Sequence, residues 1–299
     1  MIPYTPEKME TEGPKVTLLG DLVGELLADN AARQEAMRLG RPLGPTTGLD
    51  SIDEALGGHL VPGVHILQAA PGSGKTAFCL QSVSQIGYPA LFVSAEMPVL
   101  ELFRRLIARE TRTDLTPLKK GHYSNLVVSE LAQRTAQRIP HVAILDATAA
   151  YVSPQAILET AQLVQRRTEM EKMLVVIDSL QVWARSAGES GDSEYDLVNH
   201  GLKAARTLAA TLKAPILAVS HRNRAGQKVG GMFAGKGSGD IEYAAETVMD
   251  LDIPNQANAL PDQSGNLSRE LTIHKNRHGQ AGETFNLKFC GKYQHFEEA

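Results

Sequence analysis

The sequence predicts an α/β protein: a mostly parallel central sheet extended by antiparallel strands, with a helical arm at the N-terminal side. Three observations predict it. Short apolar runs of strand length alternate with longer stretches of helical periodicity, as in strands joined by crossover helices. A glycine-rich segment, Ala70 to Gly74, lies between one such run and one such helix. Two other apolar runs end in a carboxylate, Glu96 and Asp178, and a parallel sheet brings such strand ends to one edge.

The elements follow in chain order. Residues 1–15 are polar and hold three prolines, so they read as a tail. Leu18, Leu19, Leu22, Val23, Leu26 and Leu27 recur at helical spacing, and Gly40 to Pro45 read as a linker. This arm either docks on a neighbouring molecule or packs on its own domain, and both readings stand here. Residues 1–45 are thus expected to be tail, arm helix and linker, and residues 46–299 one domain. Strands are expected at Val64–Ala69, Ala90–Ala95, Val142–Asp146, Leu174–Ser179 and Pro215–Ser220. Helices are expected at Thr76–Gln85, Val99–Ala108, Pro154–Glu171 and Tyr195–Lys213. Apolar runs at Thr247–Ile253, Leu271–Lys275 and Thr284–Phe289 are separated by turns and are expected to extend the sheet as antiparallel hairpins.

Composition excludes several classes. With 299 residues, 42% hydrophobic and 21% charged, there is enough apolar material for a sizeable core, which rules out disorder along the whole chain. A net charge of −4 excludes a polycation that coats nucleic acid, so any nucleic-acid contact must be a local basic patch. The charge-free stretches Ala55–Gly74 and Ala77–Ala95 are broken by Gly, Pro and Gln and do not read as membrane spans. The N-terminal residues carry acids where a signal peptide needs an apolar core. Two cysteines, Cys79 and Cys290, exclude a disulfide scaffold and suit a reducing cytoplasm.

The chemistry concentrates at Ala69-Ala70-Pro71-Gly72-Ser73-Gly74-Lys75-Thr76-Ala77, a phosphate-binding loop with Ala in place of the first Gly. Glycines let successive backbone N–H groups curl around phosphate oxygens. Lys75 supplies a positive charge to the β and γ phosphates, and Thr76 a hydroxyl to Mg²⁺. The helix that follows points its positive end at the same anion. ATP with Mg²⁺ is the expected cofactor pair. Asp178, ending Leu174-Val175-Val176-Ile177, is the expected second metal group, with capping of the next turn as the alternative. Glu96, ending Ala90 to Ala95, is the candidate that activates water, with a helix cap as its alternative. His221 ends a third strand on the same edge and is placed to report the γ-phosphate.

Together these motifs resemble the RecA-like motor domain of the DnaB-type replicative helicases. Thr47 to Asp53 with Gly57-Gly58 and Pro62-Gly63, Ser94-Ala95-Glu96-Met97, Val176 to Gln181, Leu202 to Arg224, and Ile273 to Gly279 with Gly282 follow that family's order from about Thr47 to Phe296. The resemblance implies a ring, hexameric, with ATP between subunits. It implies that Arg277 is an arginine finger acting on a neighbour's ATP, with Lys275 beside it. It implies single-stranded DNA as ligand, a primase or loader as further partner, and a cytoplasmic setting without membrane attachment. His221 stands where bacterial members commonly carry Gln, which suggests a phage or plasmid relative, and no N-terminal collar domain is expected. Arg222, Arg224, Lys228 and Lys236 lie between His221 and Asp240 without an acid. The resemblance places a DNA-contacting loop around Lys236-Gly237-Ser238-Gly239, where lysine and backbone N–H groups suit phosphates without base readout. Val182–Asp196 is a second, acidic loop candidate. Two other classes remain open at this point: a RecA/RadA-like recombination or repair ATPase, and a KaiC-like or loader-type regulatory switch.

Overall fold

A computed structural model describes residues 16–85, 87–186, 193–221, 244–254 and 261–299. The chain divides into two compact units, Met1–Leu43 and Gly44–Ala299.

The first unit holds a 3₁₀ turn, Leu19–Leu22, and helix α1, Val23–Leu39. The helix ends at Gly40, whose φ of 60° is the left-handed conformation that closes a helix and favours glycine. Pairs Arg33–Asp29 and Arg38–Glu35 lace its surface at helical spacing. Leu18, Leu19, Leu22, Val23, Leu26 and Leu27 are all exposed.

In the second unit the elements run α2 (Asp50–Ala55), β1 (Gly63–Ala69), α3 (Lys75–Val83), β2 (Ala90–Ser94), α4 (Val99–Thr111), α5 (Leu115–Lys119), α6 (Asn125–Arg138), β3 (Val142–Asp146), α7 (Pro154–Thr168) and β4 (Leu174–Asp178). They continue with α8 (Leu180–Arg185), α9 (Glu194–Leu212), β5 (Pro215–His221), β6 (Thr247–Asp252), β7 (Leu267–Asn276), β8 (Thr284–Cys290) and β9 (His295–Glu298). Among the described residues these strands form one sheet in the order β3-β2-β4-β5-β1-β6-β7-β8-β9. The first six strands in that order are parallel, and β7, β8 and β9 add on antiparallel.

Strand alternation sorts the core into two layers. Leu67, Phe92, Val176, Leu217 and Val219 join Phe78, Leu80, Leu102 and Leu106 of α3 and α4 in one cluster. Their buried strand neighbours Ile66, Val93, Ile177 and Ala218 point to the other face. There α7, α8 and α9 pack on β1 to β5. Burial on both faces explains why these strands read as continuous apolar runs.

The structure adds to one expectation, corrects another and contains elements that the sequence pattern does not predict. Thr247–Asp252 pairs antiparallel with β7 as expected, but β6 also lies parallel to β1 and so joins the late strands to the parallel sheet. The loop expected over Val182–Asp196 is helical at both ends, in α8 and α9. Residues 187–192 of that segment lie outside the described residues. Helix α6 was not expected. It buries only Thr135, so it lacks the apolar stripe on which periodicity depends. Strand β9 is four residues long, too short for an alternation to register.

His65 on β1 carries a testable consequence. It is buried, with Nε2 on the Val61 carbonyl at 2.8 Å and Nδ1 on the Thr247 hydroxyl at 2.9 Å. Those partners suit a neutral ring donating from Nε2 and accepting at Nδ1. Burial pushes its pKa down from 6.5 to about 4. The unfolded chain therefore takes up this proton first as pH falls. Stability is intact above pH 6.5 and is lost between there and pH 4, by roughly 3 kcal/mol from this residue. Urea denaturation of wild type and His65→Phe at pH 7 and pH 4 checks it. The variant should show a shallower pH dependence, and equal slopes would refute the assignment.

Candidate active site

The phosphate loop grows out of β1 at the centre of the sheet. Gly72 and Gly74 have φ of 80° and 106°, positions where a side chain would be strained. A Cβ on Gly74 would also lie 2.8 Å from the ring of Phe296. Ser73 donates from its backbone N–H and its hydroxyl to the Ala70 carbonyl, at 3.2 and 2.8 Å, which closes the turn. Helix α3 starts at Lys75 with Gly74 as its N-cap and no side-chain cap, so its first N–H groups face the loop.

Strand register brings the other groups to this edge. Ala69 pairs with His221, and Ser94 with Asp178. Glu96 is two residues beyond Ser94. The Thr76 hydroxyl donates to Asp178 Oδ2 at 2.8 Å. The Lys75 ammonium donates to His221 Nδ1 at 2.8 Å, and His221 Nε2 meets Glu96 Oε1 at 2.5 Å. Because an ammonium cannot accept, Nδ1 is the acceptor and Nε2 carries the ring proton toward the carboxylate. Glu96 also accepts from the Ser179 hydroxyl. The Gln181 amide fixes the strand end from behind: its Oε1 accepts from the His221 backbone N–H at 3.2 Å, and its Nε2 donates to Ser220 Oγ at 2.7 Å.

This geometry decides both capping alternatives. The N-cap of α4 is Pro98 and that of α8 is Ser179, neither with a side-chain cap bond. The Glu96 carboxylate meets His221 and Ser179 instead, and that of Asp178 accepts from Thr76.

The electrostatics differ between the two acids. The hydrogen bond from His221, helped by Ser179, holds the Glu96 pKa down at about 2 despite partial burial. Asp178 is almost fully buried, and that burial pushes its pKa up. Its Oδ1 is buried without a hydrogen-bond partner. A buried carboxylate with one unmatched oxygen beside a hydroxyl is a donor set suited to a hard divalent cation. Thr76 and Asp178 therefore fit the Mg²⁺ expected from the sequence. Burial also lowers the Lys75 pKa, opposed by the nearby Glu96 and Asp178 charges.

The family model described as "DnaB-like helicase C terminal domain" matches residues 44–298. The chain belongs to that family. A replicative DNA helicase DnaB from Haemophilus influenzae is 26% identical over 264 residues, covering 85% of this chain and 55% of the relative. The chain thus spans little more than half the length of that relative. Among solved structures, the ATPase domain of G40P matches with a TM-score of 0.76 at 21% identity, covering 94% of this chain and 99% of that one. A DnaB-like replicative helicase, described with its interactions with primase, matches with a TM-score of 0.72 at 22% identity. It covers 94% of this chain and 71% of that one. These structural likenesses establish the RecA-like fold of the DnaB family.

Arg277 and Lys275 lie elsewhere in this DnaB-family domain. Leu271 of β7 is level with Leu251 and so with Ala69 at the phosphate loop, whereas Asn276 is level with Thr247 and His65. Arg277, one residue beyond Asn276, is therefore roughly 17 Å along the strands from the level of Ala69, where the loop begins. Its half-exposed guanidinium is 3.9 Å from Glu246, and the Lys275 ammonium donates to the Ala245 carbonyl at 2.7 Å. Arg222, Arg224, Lys228, Lys236, Gly237, Ser238 and Gly239 lie outside the described residues.

Sequence reading missed the contacts of Ser179, Gln181 and Arg269. Ser179 directly follows Asp178, so the signal was adjacency. Arg269 shares a strand face with the buried Leu271 and Ile273. Counting back by two along β7 would have placed it inside.

Proposed function

We propose that this chain is the motor domain of an ATP-dependent DNA helicase that assembles as a hexameric ring and moves along single-stranded DNA in replication. The observation that carries the reading is one sheet edge bearing the phosphate loop, Lys75, Thr76, Asp178, Glu96 and His221, with Arg277 at the opposite edge. A subunit built so holds nucleotide at one edge and offers an arginine from the other. In a ring, each interface unites the two.

In this reading backbone N–H groups of residues 70–77 and the Lys75 ammonium bind the β and γ phosphates. Thr76 and Asp178 would hold Mg²⁺, which supplies positive charge to the phosphates when bound. With nucleotide bound, the Lys75 ammonium would turn from His221 to the phosphates, and the His221 Nε2–H, which faces Glu96 in the free protein, is the ring donor available to the γ-phosphate. Glu96, ionised at neutral pH, orients the attacking water and accepts its proton. Arg277 from the next subunit stabilises the charge on the transferring phosphoryl group, with Lys275 beside it. The exposed apolar stripe of the arm latches onto a neighbouring subunit. A primase or a loader is a further partner, and the cytoplasm is the setting. No described helix is long and apolar enough to cross a membrane. Family membership favours this motor over a RecA/RadA-like repair ATPase and over a KaiC-like or loader-type switch.

Strand displacement on forked DNA with ATP tests the motor. Unwinding supports it. ATP hydrolysis indifferent to DNA would favour a switch, and strand exchange a recombination ATPase. For the basic loop, Lys236→Ala is expected to weaken DNA stimulation of ATP turnover and its salt dependence while sparing basal turnover. Unchanged DNA dependence would move the DNA site elsewhere.

A further inference from the structure

Arg269 on β7 is buried, with 4% exposure, and sits beneath the phosphate loop. Its Nε donates to the Ser73 carbonyl at 2.8 Å and its Nη2 to the Gly72 carbonyl at 3.2 Å. Its Nη1 donates to the Ser268 carbonyl at 2.7 Å. The guanidinium lies 5.7 Å from the centre of the Phe289 ring, which stacks on Phe296 at 4.6 Å. Phe296 in turn abuts Gly74. The loop therefore rests on a bed made by the last three strands, and its one cationic member grips two consecutive loop carbonyls.

We propose that Arg269 is a positioning residue for nucleotide phosphates: by holding the Gly72 and Ser73 carbonyls beneath the loop, it aims the loop's N–H groups at the anion. The proposal rests on the nucleotide-binding reading given above.

Two physical points support it. In a trans peptide the C=O and N–H point in opposite directions, so fixing the Ser73 carbonyl toward Arg269 turns the Gly74 N–H away from it, to the front of the loop. Glycines at 72 and 74 leave these peptide planes free to rotate, and a two-pronged donor removes that freedom before the ligand arrives. The guanidinium fork suits the task because its donors are rigid and coplanar. The charge matters as well. Arg269 is buried against carbonyls, and none of the partners named above is a carboxylate. Burial lowers its pKa. A buried cation whose hydrogen bonds among the described residues go to carbonyls favours an anion on the far side of the loop.

The test is equilibrium binding of fluorescent ATP and ADP analogues to the full chain, beside thermal unfolding without nucleotide. Arg269→Met keeps the stem and removes charge and donors. It is expected to bind both analogues at least tenfold more weakly, about the cost of losing charge-assisted hydrogen bonds, with its apo melting temperature close to wild type. Arg269→Lys, which keeps the charge but not the fork, should fall between the two. Unchanged affinity in Arg269→Met overturns the proposal. So does a loss of affinity matched by a loss of apo stability that Arg269→Lys leaves uncorrected, because that marks a brace for the fold alone. Should Arg269→Met fail to fold, Arg269→Lys decides: it binds about threefold more weakly or worse, or the proposal falls. A wild-type chain that binds neither analogue overturns both readings. Impaired Lys75→Ala beside unimpaired Arg269→Met overturns only the role of Arg269.

Discussion

Lys75→Ala protein is expected to lose ATP binding by roughly a hundredfold or more, the cost of two charge-assisted hydrogen bonds to phosphate. Lys75 is the first residue of α3, so its ammonium and the helix N-terminus bear on the same anion. Without nucleotide the ammonium is held by His221 at 2.8 Å. This contact keeps the charge near the loop and gives it a partner that phosphate can replace. Half-burial makes the bare ammonium costly, and the triphosphate relieves that cost by supplying opposite charge. The variant removes the charge and also the donor to His221 Nδ1. Titration with a fluorescent ATP analogue measures the loss, and a thermal melt without nucleotide controls for folding. A dissociation constant equal to wild type would sink the phosphate-loop assignment. Lys75→Arg keeps the charge in a bulkier fork and should recover little, because the loop is shaped around a point charge.

How much of this was legible beforehand depends on where each signal lies. The phosphate loop, Asp178 and Glu96 were legible because each follows an apolar run, and parallel strands end together. Register then did what the sequence pattern implied, pairing Ser94 with Asp178 and Ala69 with His221. The side-chain relay was not legible. Glu96, Ser179, His221 and Lys75 touch through torsions set by packing, and spacing does not encode those. The sheet order was hidden as well. Placing β6 beside β1 requires a crossover, whereas turn residues between late strands suggest hairpins. Arg269 was missed for a different reason. An arginine in an otherwise alternating strand reads as a solvent-facing residue, and only the buried Leu271 and Ile273 at two-residue spacing show that it faces inward.

Arg277→Ala rings are expected to bind ATP normally and to lose hydrolysis by roughly 10³-fold or more, the usual scale of an arginine finger. The strand register supports the proposed trans arrangement. With roughly 17 Å of sheet between Arg277 and the level where its own loop begins, its side chain does not span the gap. Glu96→Ala rings should be equally inactive with Arg277 intact, because the water loses its carboxylate. Mixing the two proteins then makes a prediction that neither variant makes alone. An interface that joins the loop of an Arg277→Ala subunit to the finger of a Glu96→Ala subunit contains every wild-type group. Random equimolar mixing yields such interfaces at about one in four, so turnover should rise well above the sum of the parents, toward a quarter of wild type if interfaces fire independently. Each intact interface is flanked by one with a Glu96→Ala loop and one with an Arg277→Ala finger, so the rescue reads turnover at isolated interfaces. Glu96, with its pKa held at about 2, stays ionised from pH 5 to 9 in the nucleotide-free protein, so its own titration should not shape the rescue over that range. Native mass spectrometry verifies that mixed rings form. If they form and neither steady-state nor single-turnover hydrolysis exceeds the sum of the parents at any ratio, Arg277 does not act across the interface.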